Sequence, residues 1–170
     1  IAYRPIQPIA TIKRCIVVIP EDAEKEVGFP YWLLSIWNIG KNLGTKFVIY
    51  GHQNVLNILK LVNAKHTIDV ECREFANWAN FSEVANAVQD NDALALVMSR
   101  PGFPSYSRHM EYVPTYINKY FNTVNCILIY PMQMGVGDDS TTFHSISMIN
   151  RVESMEGLVQ VLSKLFKKNK

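Results

Sequence analysis

Residues 15–50 read CIVVIPEDAEKEVGFPYWLLSIWNIGKNLGTKFVIY, and the fold class follows from them. Cys15 to Ile19 is a short apolar, β-branched run of the kind that forms a strand buried on both faces. Pro20 stops it, since proline has no backbone N–H for a ladder. From Phe29 onward the apolar residues Phe29, Trp32, Leu33, Ile36, Trp37 and Leu43 recur at helical spacing. Pro30 suits the start of that helix and Gly44 its stop. Phe47 to Tyr50 is a second short strand, so the stretch reads as a parallel β–α–β unit.

The alternation continues along the chain. Val55, Ile58, Leu59 and Val62 predict a second helix. Ile68, Val70 and Cys72 alternate with Asp69, Glu71 and Arg73, which predicts a half-exposed strand near a sheet edge. Phe81, Val84, Ala85 and Val88 give a third helix with Asn80 as its cap. Ala93 to Met98 reads as a central strand, Val113 to Phe121 as a fourth helix and Cys126 to Tyr130 as a fifth strand. Strict alternation implies an α/β fold with three α/β/α layers, a mostly parallel sheet of five strands and a doubly wound, Rossmann-like topology.

The two ends differ from this rhythm. Residues 1–13 carry Pro5 and Pro8 and no helical period, so they read as a linker or extended arm. The α/β domain is expected over 14–131. Residues 132–170 begin with a polar loop around Gly135 to Ser140, and Thr141 to Ile149 could supply a sixth strand. Met155, Leu158, Val159, Leu162, Leu165 and Phe166 then line one side of a helix, with Lys164, Lys167, Lys168 and Lys170 at its C-terminal end.

Composition bounds the function classes. The 170 residues suffice for one domain with a real core. With 48% apolar residues and a net charge of +2, the chain is not a disordered one. A sequence pI near 8.4 creates no demand for nucleic acid, and none is expected as a partner. No apolar run approaches the roughly 20 residues that span a bilayer. Cys15, Cys72 and Cys126 each sit inside an apolar or alternating run and read as free thiols of a reducing compartment.

In an open parallel sheet, ligands bind at the carboxyl ends of the strands, near the point where strand order reverses. The segments concerned are Pro20 to Glu26, Tyr50 to Asn54 and Ser99 to Glu111. The first holds Glu21, Asp22, Glu24 and Glu26 with only Lys25 among them, which repels phosphate; it reads either as a cation or ribose site or as a solvated helix entry. The last, SRPGFPSYSRHME, combines Ser99, Arg100, Gly102, Ser105, Ser107, Arg108 and His109, a set able to hold an anion. Tyr106 and Tyr112 flank it as further contact candidates, whereas Trp32 and Trp37 belong to the core. The ligand-binding residues expected are Pro20, Glu21, Tyr50, Ser99, Arg100 and Gly102. No GxSxG, GxGxxG or GxxxxGK[ST] motif occurs, and His52, His66, His109 and His144 form no ligating pair. No catalytic residue, metal site or enzyme activity is expected.

The run ALALVMSRPGFPSYSRHMEYVPTYINKYFNTVNCILIYP over 93–131 resembles the closing third of a universal stress protein domain, and CIVVIPEDAEKE resembles its start. That resemblance implies the universal stress protein form of the doubly wound fold. Nucleotide-binding members carry Gly-x2-Gly-x9-Gly-[Ser/Thr] after the central strand; here only Gly102 lies in that loop, and Glu111-Tyr112 stands where the last pair would fall. ATP is therefore not carried over, although an adenine nucleotide stays as the alternative ligand. The style of the loop and of VPTYINKYF is similar to the universal-stress-like domain at the C-terminus of bacterial sodium(potassium)/proton antiporters. This resemblance implies a regulatory module on the cytoplasmic face of the cell membrane, part of a longer integral membrane protein. Its partners would be the membrane-embedded transporter domain of the same chain, a second copy in a homodimer, and a small-molecule ligand. The alternatives are a stand-alone stress protein binding adenine nucleotide and a small α/β enzyme using Arg100, Arg108 and His109.

Overall fold

The computed structural model describes residues 1–132, together with Gln160 and Lys164. The strands are β1 (Ala2–Arg4), β2 (Arg14–Val18), β3 (Lys46–Gly51), β4 (Val70–Glu74), β5 (Asp92–Val97) and β6 (Asn125–Ile129). The helices are α1 (Phe29–Leu43), α2 (Gln53–Lys65), α3 (Phe81–Ala87) and α4 (Val113–Tyr120), with 3-10 turns at Ile9–Thr11, Ala23–Lys25, Trp78–Asn80 and Arg108–Tyr112. The strands form one sheet in the order β1-β6-β5-β2-β3-β4. Every neighbouring pair is parallel except β1 with β6. The expected three-layer α/β fold with a mostly parallel, Rossmann-like sheet is the observed one.

The period-two geometry of a strand sorts the core into two layers. Cys15, Val17, Ile19, Phe47, Ile49, Ala93 and Ala95 point to the face covered by α1 and α2. Ile16, Val18, Val48, Leu94, Leu96 and Cys126 point to the face covered by α3 and α4. Both sides are buried, which is why β2 and β5 read as continuous apolar runs rather than alternating ones. The helix α1 ends where Gly44 turns into the left-handed region at φ 59°, a conformation that favours glycine. At the opposite end of α1, a Cβ on Gly28 would lie 2.5 Å from the Met132 nitrogen, so the chain leaving β6 presses against the α1 start.

The two central strands are joined by charge as well as by hydrogen bonds. Arg14 and Asp92 are register partners on β2 and β5. Arg14 Nε donates to Asp92 Oδ1 at 2.9 Å and Nη2 to Oδ2 at 2.7 Å, with the carboxylate buried. At the sheet edge, β4 carries Glu71 between Lys46 and Arg73, whose hydrogen bonds hold its carboxyl down at about 2. Such charges blunt an exposed edge, and the predicted half-exposed edge strand is thereby accounted for.

The sixth strand comes from an unexpected place. The stretch 141–149, read as a candidate strand, lies outside the described residues. Of the residues read as linker or arm, Ala2–Arg4 are a strand that pairs with Leu128, Ile127 and Cys126 of β6, and Ile9–Thr11 form a 3-10 turn. The buried Asn125 side chain holds the arm there: its Oδ1 accepts from the Ile6 and Gln7 nitrogens at 2.6 and 2.9 Å, and its Nδ2 donates to the Gln7 oxygen at 2.9 Å. Arg4 adds hydrogen bonds to the Phe121 carbonyl and to Cys126 Sγ. In α3, Asn80 does not cap the backbone as expected; Asn77 Oδ1 accepts from the Ala79 nitrogen instead, and Asn80 donates to Glu83.

Asn125→Ala leaves the Ile6 and Gln7 amides without their acceptor. It should lower the unfolding free energy by about 2 kcal/mol in urea titration.

Candidate functional site

Strand order reverses between β2 and β5, so the crevice of interest opens between Pro20 and Ser99. Beyond β2 the chain turns sharply. Asp22 takes φ 60°, a left-handed conformation that aspartate tolerates better than most residues. The 3-10 turn Ala23–Lys25 follows, and it delivers Glu26 back into the crevice rather than to solvent. Glu26 is 4% exposed. Its Oε1 accepts from Ser105 Oγ at 2.6 Å, from the Ser105 nitrogen at 3.1 Å and from Ser99 Oγ at 3.2 Å. The reading of Glu26 as part of a solvated helix entry is corrected on this point: three donors from the loop after β5 replace the water its carboxylate would need.

The expected ligand residues fall into four groups. Ser99 and Arg100 sit together at the end of β5, facing Glu26, Phe103, Pro131 and Met132 around a cavity of about 10 Å³. That is room for about one water molecule, far below the roughly 300 Å³ of a small-molecule pocket. Ser99 donates to Glu26, and Arg100 donates to the Pro131 carbonyl at 3.4 Å while stacking on the Tyr130 ring at 4.8 Å. Gly102 takes φ 90° on the exposed outer turn of the loop, and a Cβ placed there would meet nothing within 4 Å. Pro20 and Glu21 stand at the β2 exit, where Pro20 is buried and Glu21 exposed. Tyr50 is on the α3/α4 face, and its hydroxyl accepts from Arg73 Nη1 at 2.9 Å. The structure therefore sets Ser99 and Arg100 around the same small cavity as Glu26, leaves Gly102 on the outer turn of the same loop, and turns Tyr50 to the α3/α4 face.

A second cluster lies where β2 and β3 end. His52 Nε2 is 4.0 Å from Glu21 Oε1. His52 Nδ1 and Glu24 Oε2 are buried without a hydrogen-bond partner. Burial, reinforced by the nearby Asp22 charge, raises the Glu24 carboxyl above its ordinary range. Among the described residues no group of three or more histidine, cysteine or acidic side chains is placed to hold a metal ion.

The remainder of the 99–111 loop serves the loop itself. Met110 is buried, and its sulfur accepts from the Ser99 nitrogen at 3.4 Å. Tyr106 donates to Glu111 Oε1 at 2.5 Å, and Ser107 Oγ lies 3.4 Å from His109 Nδ1. Tyr112 is exposed. Both serine hydroxyls in the crevice point their protons at Glu26, so neither is paired with a histidine base as a nucleophile would be. Ser105 and Glu26 stand 79 positions apart, so no local sequence pattern pairs them.

No protein-family model matches this chain, and no curated protein or solved structure is significantly similar to it.

Two outcomes test this geometry. Glu26→Ala removes the acceptor for three buried donors and should cost about 3 kcal/mol in chemical unfolding, while Glu26→Gln, which keeps an acceptor oxygen, should cost clearly less. Glu24 has its folded-state pKa raised, so its favourable contribution is complete below the unfolded value and disappears as pH rises through the folded one. Glu24→Gln should therefore raise the thermal midpoint at pH 7, with the gain vanishing towards about pH 4.

Proposed function

We propose that this chain is a non-catalytic regulatory module of a cation/proton antiporter, lying on the cytoplasmic side and biasing the transporter between states by differential contacts. The observation that supports a regulatory rather than a nucleotide-hydrolysing role is the Glu26–Ser99–Ser105 closure of the crevice. A carboxylate occupies the place where phosphates sit in nucleotide-binding sheets of this order, and like charge excludes them. The transporter assignment itself rests on the resemblance carried by ALVMSRPGFPSY, VPTYINKYF and ILIYP within residues 95–131. No helix among the described residues is long and apolar enough to cross a membrane.

A stand-alone stress protein that binds adenine nucleotide is the second reading. What favours it is Gly102, whose positive φ and open surroundings leave a backbone turn beside Arg100 free to meet an anion.

Calorimetric titration separates the two. The regulatory reading expects no heat with ATP, ADP or AMP; micromolar binding that Arg100→Ala abolishes would favour the stress protein. Reading the coding sequence upstream of Ile1 should reveal repeated apolar runs of roughly 20 residues, and a start codon beside Ile1 would contradict the transporter assignment.

A further inference from the structure

The sheet is covered unevenly on its α1/α2 face. The helices α1 and α2 connect β2 to β3 and β3 to β4, and they lie over that half of the sheet. On the same face, none of the helices α1 to α4 lies over the half made by β5, β6 and β1. In their place is a trough of about 430 Å³. Cys15, Ala93, Ala95 and Ile127 form its floor, and Trp32 and Ile36 of α1 form one wall. Its rim consists of Ile1, Tyr3, Ile9 and Ile39, each 40% exposed or more. No charged residue lines it. A parallel sheet needs apolar cover on both faces, and the small floor residues Ala93 and Ala95 leave the depth that bulky side chains would fill.

This chain carries a segment with the matching chemistry. Residues 155–166 place Met155, Leu158, Val159, Leu162, Leu165 and Phe166 on one side of a helix by their spacing. Gln160 and Lys164, the two described residues of that stretch, are helical and exposed. Four positions apart, they share one face, and at about 100° per residue that face is directly opposite the apolar stripe. A helix over 155–166 is about 18 Å long, close to the length of strands of five or six residues. Residues 130–154, at up to about 3.4 Å each, let it reach either end of the trough.

We infer that the apolar stripe of residues 155–166 docks in this trough, completing the α1/α2 layer over β5, β6 and β1 within one chain. The uncharged lining suits an aliphatic stripe, and the lysines of the last turn remain in solvent. The interaction would tie the C-terminal segment to the N-terminal arm, since Ile1, Tyr3 and Ile9 form the rim.

Cys15 on the trough floor reports the docking, with two internal references. Cys72 is half-buried on the edge strand, and Cys126 is buried on the opposite face. In the full chain under native conditions, N-ethylmaleimide should label Cys72 first and Cys15 slowly. Leu162→Lys should speed Cys15 labelling at least tenfold, leaving Cys126 protected, whereas Gln160→Lys should change neither. An unchanged Cys15 rate in folded Leu162→Lys overturns the inference. So does wild-type protection that weakens on dilution, because a second copy would then be the cover. If Leu162→Lys also exposes Cys126, the chain has unfolded, and the Cys15-to-Cys126 ratio in Leu162→Ala is judged by the same criteria.

Discussion

One buried carboxylate organises the functional end of this domain. Glu26 sits at the junction of β2 and α1, and Ser99 and Ser105 belong to the loop that leaves β5. Those are the two strands between which an open α/β sheet ordinarily receives a ligand. A charge taken out of water must be met by donors, and here three donors converge on one oxygen. The result fixes the 99–111 loop against the β2 exit. It also fills the crevice, leaving beside Glu26 a cavity of about 10 Å³.

The rest of the architecture is consistent with that constraint. Arg14 and Asp92 bind β2 to β5 at the amino ends of the strands, and the Glu26 group binds them at the carboxyl ends. The central pair is therefore held by polar contacts at both ends and by a continuous apolar core between. Outside this pair the two edges of the sheet end differently: β4 carries the ion pairs of Glu71 with Lys46 and Arg73, and β6 is flanked by the short strand β1. Asn125 converts what is locally a proline-containing arm into part of the sheet.

Much of the fold was legible in the sequence because its signals are local. β-branched runs bounded by proline or glycine, and apolar residues at helical spacing, lie within ten or fifteen positions of one another, as in Cys15 to Gly44. The strand β1 was not legible, because three residues beside Pro5 gain their conformation from Asn125, far along the chain. The site was only half legible. Ser99 and Arg100 follow from the rule that ligands approach strand ends, and they do sit together. Glu26 looked like an ordinary acid near a helix start; its burial depends on the left-handed turn at Asp22 and on Ser105, neither of which leaves a periodic trace. Tyr50 stood at the right strand end, but the pleat turned its side chain to the α3/α4 face.

The claim on which this account depends is that the Glu26 group closes the crevice in solution. The Ser105 amide is its most direct witness, since its hydrogen is held by the Glu26 side chain. Residue-resolved hydrogen exchange at neutral pH is the measurement. A Ser105 amide protected to the same degree as the amides of β5 is the predicted result. Exchange at the rate of an unstructured peptide would mean that the crevice stands open, and the account would be wrong.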